Sequence, residues 1–237
     1  MRRILSCSFF AAVTLTTAVA VFAQQPAAPA AGAPAGGRAG GANRGRPPLF
    51  FKEEWKQTEK GGEHPVDAAI ALSNPNLELK LYGPTAKEFL MTGAAGDENN
   101  PTHLWTGMCT SPCAATLRDK ANMVDLSGLA RIKWNTKMSG FHQVRPLIKL
   151  ADGTYLVGDK ADGSITDWLW SEISVADVKW VKVDIATGVT KGTFVANPDL
   201  TKVDEVGYID LMPGSGHGQG GWSDVAQIEV YGRPVKR

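Results

Sequence analysis

Polar and apolar residues alternate with a period of two along much of the chain after position 49. Across residues 130–138, Ala, Ile, Trp, Thr and Met at even positions alternate with Arg, Lys, Asn and Lys at odd positions. Residues 77–81 place leucines at every second position, and residues 226–231 repeat the pattern near the C-terminus. This alternation predicts β-strands with one buried and one solvated face, because successive side chains point to opposite sides of a strand.

Turn residues divide these strand-like segments. Asp152-Gly153 lies between two of them and predicts a hairpin. Pro146 cannot donate a backbone hydrogen bond, so its strand is predicted to lie at an edge or to carry a bulge. Helical spacing is limited to a turn or two in residues 66–75 and 85–93. The pattern therefore predicts an all-β fold, a single antiparallel β-sandwich of the jelly-roll type with long loops.

A glycine-rich segment, residues 214–221, precedes the last strand-like run. A phosphate-binding glycine loop would need a helix after it, and the segment that follows here alternates as a strand does. The run is therefore predicted to be a connection into the final strand. Because a glycine loop at the rim of a sandwich allows close approach of a ligand, His217 is included among the candidate binding residues.

The first part of the chain has the composition of an exported protein. Residues 1–23 combine two arginines, an apolar stretch and a Val-Phe-Ala end, which predicts a signal peptide. Residues 24–48 are almost entirely Ala, Gly and Pro, which predicts a disordered linker. Residues 49–237 then form the β-sandwich domain. The mature protein is predicted to be periplasmic or secreted, with no membrane span once the signal is removed.

Charge and cysteine content exclude several classes of function. Five of the 25 basic residues precede position 49 while all 24 acidic residues follow it, so the domain carries a net charge of about −4. A domain of this charge is not expected to bind nucleic acid. Cys109 and Cys113 are predicted to form a disulfide in an oxidising compartment. The four histidines lack metal-ligand spacing, and His142 shares the parity of apolar neighbours, which predicts a partly buried structural role.

Tryptophans supply the most informative candidate site. Trp134 and Trp180 are predicted to lie in the core. In residues 168–175 the apolar positions share one face, which places two tryptophans and a glutamate on the other. Aromatic faces stack on sugar C–H groups while charged side chains bind the hydroxyls. The complete predicted ligand-binding set, with His217, is Arg145, Lys149, Trp168, Trp170, Glu172, His217 and Trp222. The alternative is that a loop covers this face and the rings serve only packing.

The second half of the chain resembles the galactose-binding-like jelly rolls, a superfamily that includes secreted carbohydrate-binding modules. The resemblance rests on "VDLSGLARIKWNTKMSGFHQVRPLIKLADGTYL", "WSEISVADVKWVKVDI" and the closing "WSDVAQIEVYG". The first part, with "LFFKEEWKQTEKGGEHPV", resembles that of uncharacterised secreted bacterial proteins. The resemblance implies carbohydrate binding. It also implies a structural calcium between the first and last strands, for which Glu53, Glu54 and Asp224 are the candidate ligands.

The sequence thus favours a non-catalytic protein that binds carbohydrate or a cell-envelope glycan through a tryptophan-bearing sheet face and loops. No nucleophile–base pair, metal cluster or cofactor motif is evident, so no cofactor other than calcium is predicted. Two alternatives remain open: an envelope-associated structural domain that binds protein, and a hydrolase or lyase acting on glycans with the same fold.

Overall fold

The computed structural model describes residues 45–57, 62–212 and 221–237. The predicted signal peptide, most of the predicted linker and His217 lie outside these residues. Residues 45–48, the end of the predicted linker, have no regular secondary structure. They contact the end of the chain, because the Gly232 N–H donates to the carbonyl of Pro48 and the Arg233 guanidinium to that of Gly45.

Strands dominate the described residues. In chain order they are β1 (Leu49–Glu53), β2 (His64–Pro65), β3 (Leu77–Tyr82), β4 (Leu90–Thr92), β5 (His103–Trp105), β6 (Cys113–Asp119), β7 (Asn122–Asp125), β8 (Arg131–Gly140), β9 (Val144–Leu150), β10 (Tyr155–Gly158), β11 (Leu169–Ser174), β12 (Trp180–Asp184), β13 (Val189–Phe194), β14 (Val203–Asp210), β15 (Gly221–Tyr231) and β16 (Arg233–Lys236). The helical content of the described ranges is two single 3-10 turns, Ala86–Glu88 and Val175–Asp177. Of the two segments with weak helical spacing, residues 85–93 contain one short 3-10 turn and residues 66–75 contain no helix, so there is little helix, as predicted.

The strands form two sheets. Sheet A has the order β11-β8-β15-β5-β4-β2, with β1 also paired to β15. Sheet B has the order β13-β12-β10-β9-β14-β6-β3, with β7 paired to β14 and β16 to β7. All these strand pairs are antiparallel. The predicted antiparallel β-sandwich is confirmed.

A single cluster of buried apolar side chains lies between the sheets. From sheet A it includes Ile132, Trp134, Met138, Val225, Ile228 and Val230, and from sheet B Leu117, Ile148, Leu156, Trp180, Val206 and Tyr208. Along β8 buried and partly exposed residues alternate without interruption up to Ser139, as the period of two predicts. Trp134 and Trp180 are both buried, as predicted. The burial of the even-numbered residues of β8 therefore fixes its odd-numbered residues on the outward side of sheet A.

Tyr208 lies fully buried in this core, and its hydroxyl has no hydrogen-bond partner among the described residues. We expect Tyr208→Phe to leave the free energy of unfolding unchanged or to raise it by up to about 1 kcal/mol, because an unpaired buried hydroxyl has lost its hydration. Urea titration measures the change. Tyr82→Phe is the matched control: its hydroxyl donates to Glu205 and accepts from Tyr155, so its loss should destabilise by about 1 kcal/mol. A clear loss of stability in Tyr208→Phe would contradict the expectation.

Pro146 does not mark an edge strand or a bulge, so that prediction was wrong. β9 lies between β10 and β14 in the middle of sheet B. Its ladder with β10 begins at Leu147, opposite Val157, so Pro146 stands just outside it. The proline is accommodated because Gly158 faces it: a Cβ at Gly158 would lie 2.6 Å from the Pro146 Cγ.

The hairpin formed by β12 and β13 extends over sheet B as far as the start of β6. Gly188, in its turn, lies against Pro112, which immediately precedes β6; a Cβ at Gly188 would be 2.2 Å from the Pro112 Cβ. A second apolar cluster lies on the outward side of this sheet, comprising Ala114, Leu147, Val157, Val183 and Ile209. The outward side of sheet B is therefore partly covered, which the alternation in β12 does not reveal.

Candidate functional site

The structure divides the predicted ligand-binding residues between the two sheets. Trp168, Trp170 and Glu172 lie immediately before or within β11, and Trp222 lies on β15, all in sheet A. Arg145 and Lys149 lie on β9 in sheet B. The structure brings the first four residues to the same sheet and places the other two in the opposite one. His217 lies outside the described residues.

The three tryptophans share the outward side of sheet A, which we call the tryptophan face and define by Trp168, Trp170 and Trp222. Each indole has a lysine of β8 over its ring: the ammonium of Lys133 is 5.0 Å from the Trp170 ring centroid. That of Lys137 is 5.6 Å from Trp168 and 5.4 Å from Trp222. Because both lysines are odd-numbered residues of β8, all three rings lie on its outward side.

The rings differ in exposure and in support. Trp170 is 44% exposed, whereas Trp168 and Trp222 are partly buried. The Trp168 indole N–H donates to the carbonyl of Asn99 at 3.1 Å, and its ring meets that of His103 edge-on at 5.0 Å between centroids. These contacts hold Trp168 in one orientation before any ligand arrives, which reduces the entropy that binding would cost.

Glu172 lies on the same face and forms an ion pair with Arg131, in which its Oε2 is 3.1 Å from the Arg131 Nε. The angle at the Arg131 Nε does not allow a hydrogen bond. Arg131 in turn stacks on the Tyr231 ring at 3.7 Å. Lys133 lies 3.8 Å from Glu229. Aromatic and charged side chains therefore alternate across the tryptophan face, in an arrangement that could contact both the apolar faces and the hydroxyl groups of a sugar.

Asp224 and His103 form a buried pair at the edge of this face. The His103 Nε2 is 3.6 Å from the Asp224 Oδ2, and the His103 Nδ1 donates to the carbonyl of Pro101 at 2.7 Å. Burial lowers the pKa of His103 to about 4. Burial raises the pKa of Asp224 to about 8, and Lys137 only partly opposes this. Both groups are therefore neutral at pH 7, and the contact is not an ion pair.

The outward side of sheet B carries a charged network centred on Glu205, whose side chain is fully buried. Its Oε1 accepts hydrogen bonds from the ammonium groups of Lys80 and Lys149, at 2.8 and 3.1 Å. Its Oε2 accepts from the hydroxyls of Tyr82 and Thr116, at 2.9 and 2.7 Å. Lys149, predicted to bind ligand, is therefore already engaged by a buried carboxylate.

Arg145 lines a cavity of about 550 Å³ at the end of sheet B, beside the β12–β13 hairpin. We call it the hairpin cavity; its walls include Arg145, Phe141 and Phe194. The guanidinium of Arg145 donates to the carbonyl of Asp159 at 3.1 Å and to the side-chain oxygen of Gln143 at 2.9 Å. This cavity and the tryptophan face belong to different sheets, so one small ligand would occupy one or the other.

Cys109 and Cys113 are both buried and are free thiols in the structure, so the predicted disulfide is not present. The Cys109 Sγ lies 3.8 Å from the carbonyl of Thr85, which accepts its hydrogen bond. Burial raises the pKa of the Cys113 thiol, and a hydrogen bond with Cys109 raises it further. The two side chains are therefore adjacent, and the bridge stays a prediction for an oxidising compartment.

A buried polar cluster joins the two sheets near the start of β15. The Asp210 Oδ2 accepts hydrogen bonds from His142 and from the hydroxyl of Ser223, and Thr106 also bonds Ser223. His142 is buried, more completely than the sequence predicted. The carboxylate stands between the histidine and the serine, whereas an activated serine nucleophile would bond the histidine directly. The cluster therefore does not have the geometry of a catalytic triad.

The proposed calcium ligands are not brought together. Glu53 is buried and accepts hydrogen bonds from the Trp55 and Asn74 backbone and from the backbone and hydroxyl of Ser73. Glu54 pairs with Lys52, and Asp224 lies beside His103. Within residues 45–57, 62–212 and 221–237, no group of three or more His, Cys, Asp or Glu side chains is positioned to hold a metal ion.

In the same part of the chain, no helix is long and apolar enough to cross a membrane.

Lys133, Lys137 and His103 belong to the tryptophan face but were not among the predicted residues. The alternation of residues 130–138 was sufficient to place both lysines on the solvated side of their strand. It could not show that they lie against tryptophans, because Trp168 immediately precedes β11 and Trp222 lies in β15, the two strands that flank β8 in the sheet. His103 has no such signal, since its strand is only three residues long.

The chain is similar in structure to carbohydrate-binding modules of family 11. One, from Clostridium thermocellum in complex with a beta-1,3-1,4-mixed-linked tetrasaccharide, aligns with a TM-score of 0.43 and 14% identity over 75% of this chain and 99% of that one. Another, from the cellulosomal cellulase Lic26A-Cel5E of the same organism, gives a TM-score of 0.44 and 13% identity over 73% and 96%.

An exo-beta-agarase gives a TM-score of 0.39 and 8% identity, with 69% of this chain aligned to 24% of that one. No protein-family model and no curated protein sequence matches the chain.

Proposed function

We propose that this is an exported, non-catalytic protein that binds carbohydrate on its tryptophan face. The observation that carries the proposal is the presence of Trp168, Trp170 and Trp222 on one outward side of sheet A, each with an ammonium group over its ring. Indole faces bury the C–H surfaces of pyranose rings, and the neighbouring charged groups provide hydrogen bonds to the hydroxyls.

The arrangement suits an extended polysaccharide better than a small buried ligand. The rings lie along a sheet surface and come from two places in the chain, the start of β11 and the start of β15, and Trp170 is well exposed. Trp168 is held by Asn99 and His103, so binding would order little that is not already ordered. The signal peptide, the linker and the disulfide between Cys109 and Cys113 belong to the same proposal of an exported protein.

The double variant Trp168→Ala, Trp170→Ala is expected to bind polysaccharide at least about tenfold more weakly than the wild type, because each stacked ring contributes about 1 kcal/mol. A glycan array followed by isothermal titration calorimetry on residues 49–237 measures the loss. Trp170→Ala alone, at the most exposed ring, should give a smaller loss and keeps the test valid if the double variant does not fold.

The matched control is Phe141→Ala, Phe194→Ala, which removes two exposed rings from the hairpin cavity of sheet B. This control should retain full affinity. If the phenylalanine variant loses binding while the tryptophan variant keeps it, carbohydrate binds at the hairpin cavity of sheet B and the proposed site on the tryptophan face is wrong. Accumulation of reducing ends or unsaturated products during the assay would contradict the non-catalytic part of the proposal.

A further inference from the structure

Lys137 occupies an unusual position on the tryptophan face. Its ammonium lies between the rings of Trp168 and Trp222, at 5.6 and 5.4 Å from their centroids. Among the described residues no carboxylate lies within 4.0 Å of it. Asp224 is opposite Lys137 across the β8–β15 ladder, but its carboxyl group is buried beside His103.

The other cations that lie over aromatic rings of this face are balanced. Arg131 pairs with Glu172, and Lys133 lies near Glu229. Asp224 does not balance Lys137 at neutral pH, because burial raises the pKa of this carboxyl to about 8. Of these three cations, Lys137 is therefore the one that has no anionic partner among the residues that the structure describes.

An ammonium group between two indoles is partly removed from water, so its attraction to an anion is weakened less by solvent than that of a fully exposed lysine. The two rings flank it at similar distances, so a sugar stacked on either ring would carry its substituents close to Lys137. A neutral sugar could accept a hydrogen bond there through a hydroxyl group, whereas a sugar that bears a negative charge would also gain the attraction between opposite charges.

We infer that the ligand of the tryptophan face is an anionic polysaccharide, whose sugars carry carboxylate or sulfate groups and present one of them to Lys137 between Trp168 and Trp222. This inference rests on the proposed function, since it names the class of carbohydrate that binds the same face. Lys137 acts in it as the residue that sets specificity, and the indoles supply the affinity common to charged and neutral chains.

Two pairs of polysaccharides with matched backbones test it by isothermal titration calorimetry. Polygalacturonate is compared with its fully methyl-esterified form, and dextran sulfate with dextran. The wild type should bind the charged member of at least one pair about fivefold or more tightly than its neutral partner, which is the contribution expected of one partly screened ion pair. The pair that shows the preference identifies the group as carboxylate or sulfate.

Lys137→Met keeps the length of the side chain and removes its charge. It should bring the ratio of the two affinities to about one, because it lowers the affinity for the charged chain more than the affinity for the neutral backbone. Lys137→Arg should restore the preference. Lys202→Met, at an exposed lysine immediately before β14 of sheet B, is the control for the change in net charge and should keep the wild-type ratio.

The results distinguish a preference for anionic polysaccharide from carbohydrate binding in general. Equal affinities for charged and neutral chains, or a preference that survives in Lys137→Met, would overturn the inference and leave carbohydrate binding intact. Binding of neutral glycans alone on the array would do the same. If the wild type binds no glycan of the array and none of the four polysaccharides, both the inference and the proposed function fail.

Discussion

Replacing Glu205 by alanine is expected to lower the free energy of unfolding by about 3 kcal/mol, because it leaves two partly buried ammonium groups and two hydroxyls without the carboxylate that they bond. The carboxylate accepts hydrogen bonds from Lys80, Lys149, Tyr82 and Thr116. Burial by itself would raise the pKa of Glu205, but the hydrogen bonds from these four groups outweigh it and hold the pKa below its usual value.

Urea titration near pH 7 measures this loss, and Glu54→Ala is its control. Glu54 also pairs with a lysine, but that pair is exposed, with 40% and 54% of the two side chains accessible. Its removal should change stability by less than about 1 kcal/mol. A similarly small change for Glu205→Ala would contradict the expectation, because it would show that the ammonium groups of Lys80 and Lys149 become hydrated once the carboxylate is removed.

A second large effect concerns Asp224. The stability of the protein is expected to fall by about 2 kcal/mol as the pH rises from about 6.5 to 8, at about 1.4 kcal/mol per unit. Burial raises the pKa of Asp224 to about 8, against about 3.9 in the unfolded chain. The folded state therefore keeps a proton that the unfolded state has lost, so the stabilisation is complete below about pH 4 and is lost as the pH rises through the folded pKa.

His103 opposes this trend at lower pH. Burial lowers its pKa to about 4, against about 6.5 when unfolded, so the unfolded state takes up a proton between these values. Stability from His103 is therefore present above about pH 6.5 and is lost as the pH falls toward 4. Between about pH 4 and 6.5 the changes in stability with pH that come from Asp224 and His103 nearly cancel. The loss of stability that comes from Asp224 is therefore seen only above about pH 6.5.

Asp224→Asn should remove most of the decline between pH 6.5 and 8, because the amide has a similar shape and carries no ionisable proton. Urea midpoints measured from pH 5 to 9 test this, and above pH 8 the variant should be more stable than the wild type. Asp152→Asn, at an exposed turn, is the control and should keep the wild-type slope. An unchanged slope in Asp224→Asn would mean that Asp224 is ionised at neutral pH.

The alternation of residues predicted which side of a strand is buried, and the structure confirms this along β8 and at Trp134 and Trp180. The Asp152-Gly153 hairpin between β9 and β10 was also predicted correctly. These features depend on local sequence, because side-chain direction and turn conformation are set within a few residues. Pro146 shows what local sequence cannot predict. Its strand lies in the middle of sheet B, where the β10 ladder ends before the proline and Gly158 leaves room for its ring.

The sequence by itself determined the fold class, the buried side of the main strands and the tryptophans that face outward. Only the tertiary structure decided which strands share a sheet, and this separates Arg145 and Lys149 from Trp168 and Trp170. A period of two assigns a residue to one side of its own strand, but sheet order depends on contacts between residues far apart in the chain. The pairing of Lys137 with two tryptophans follows from that order.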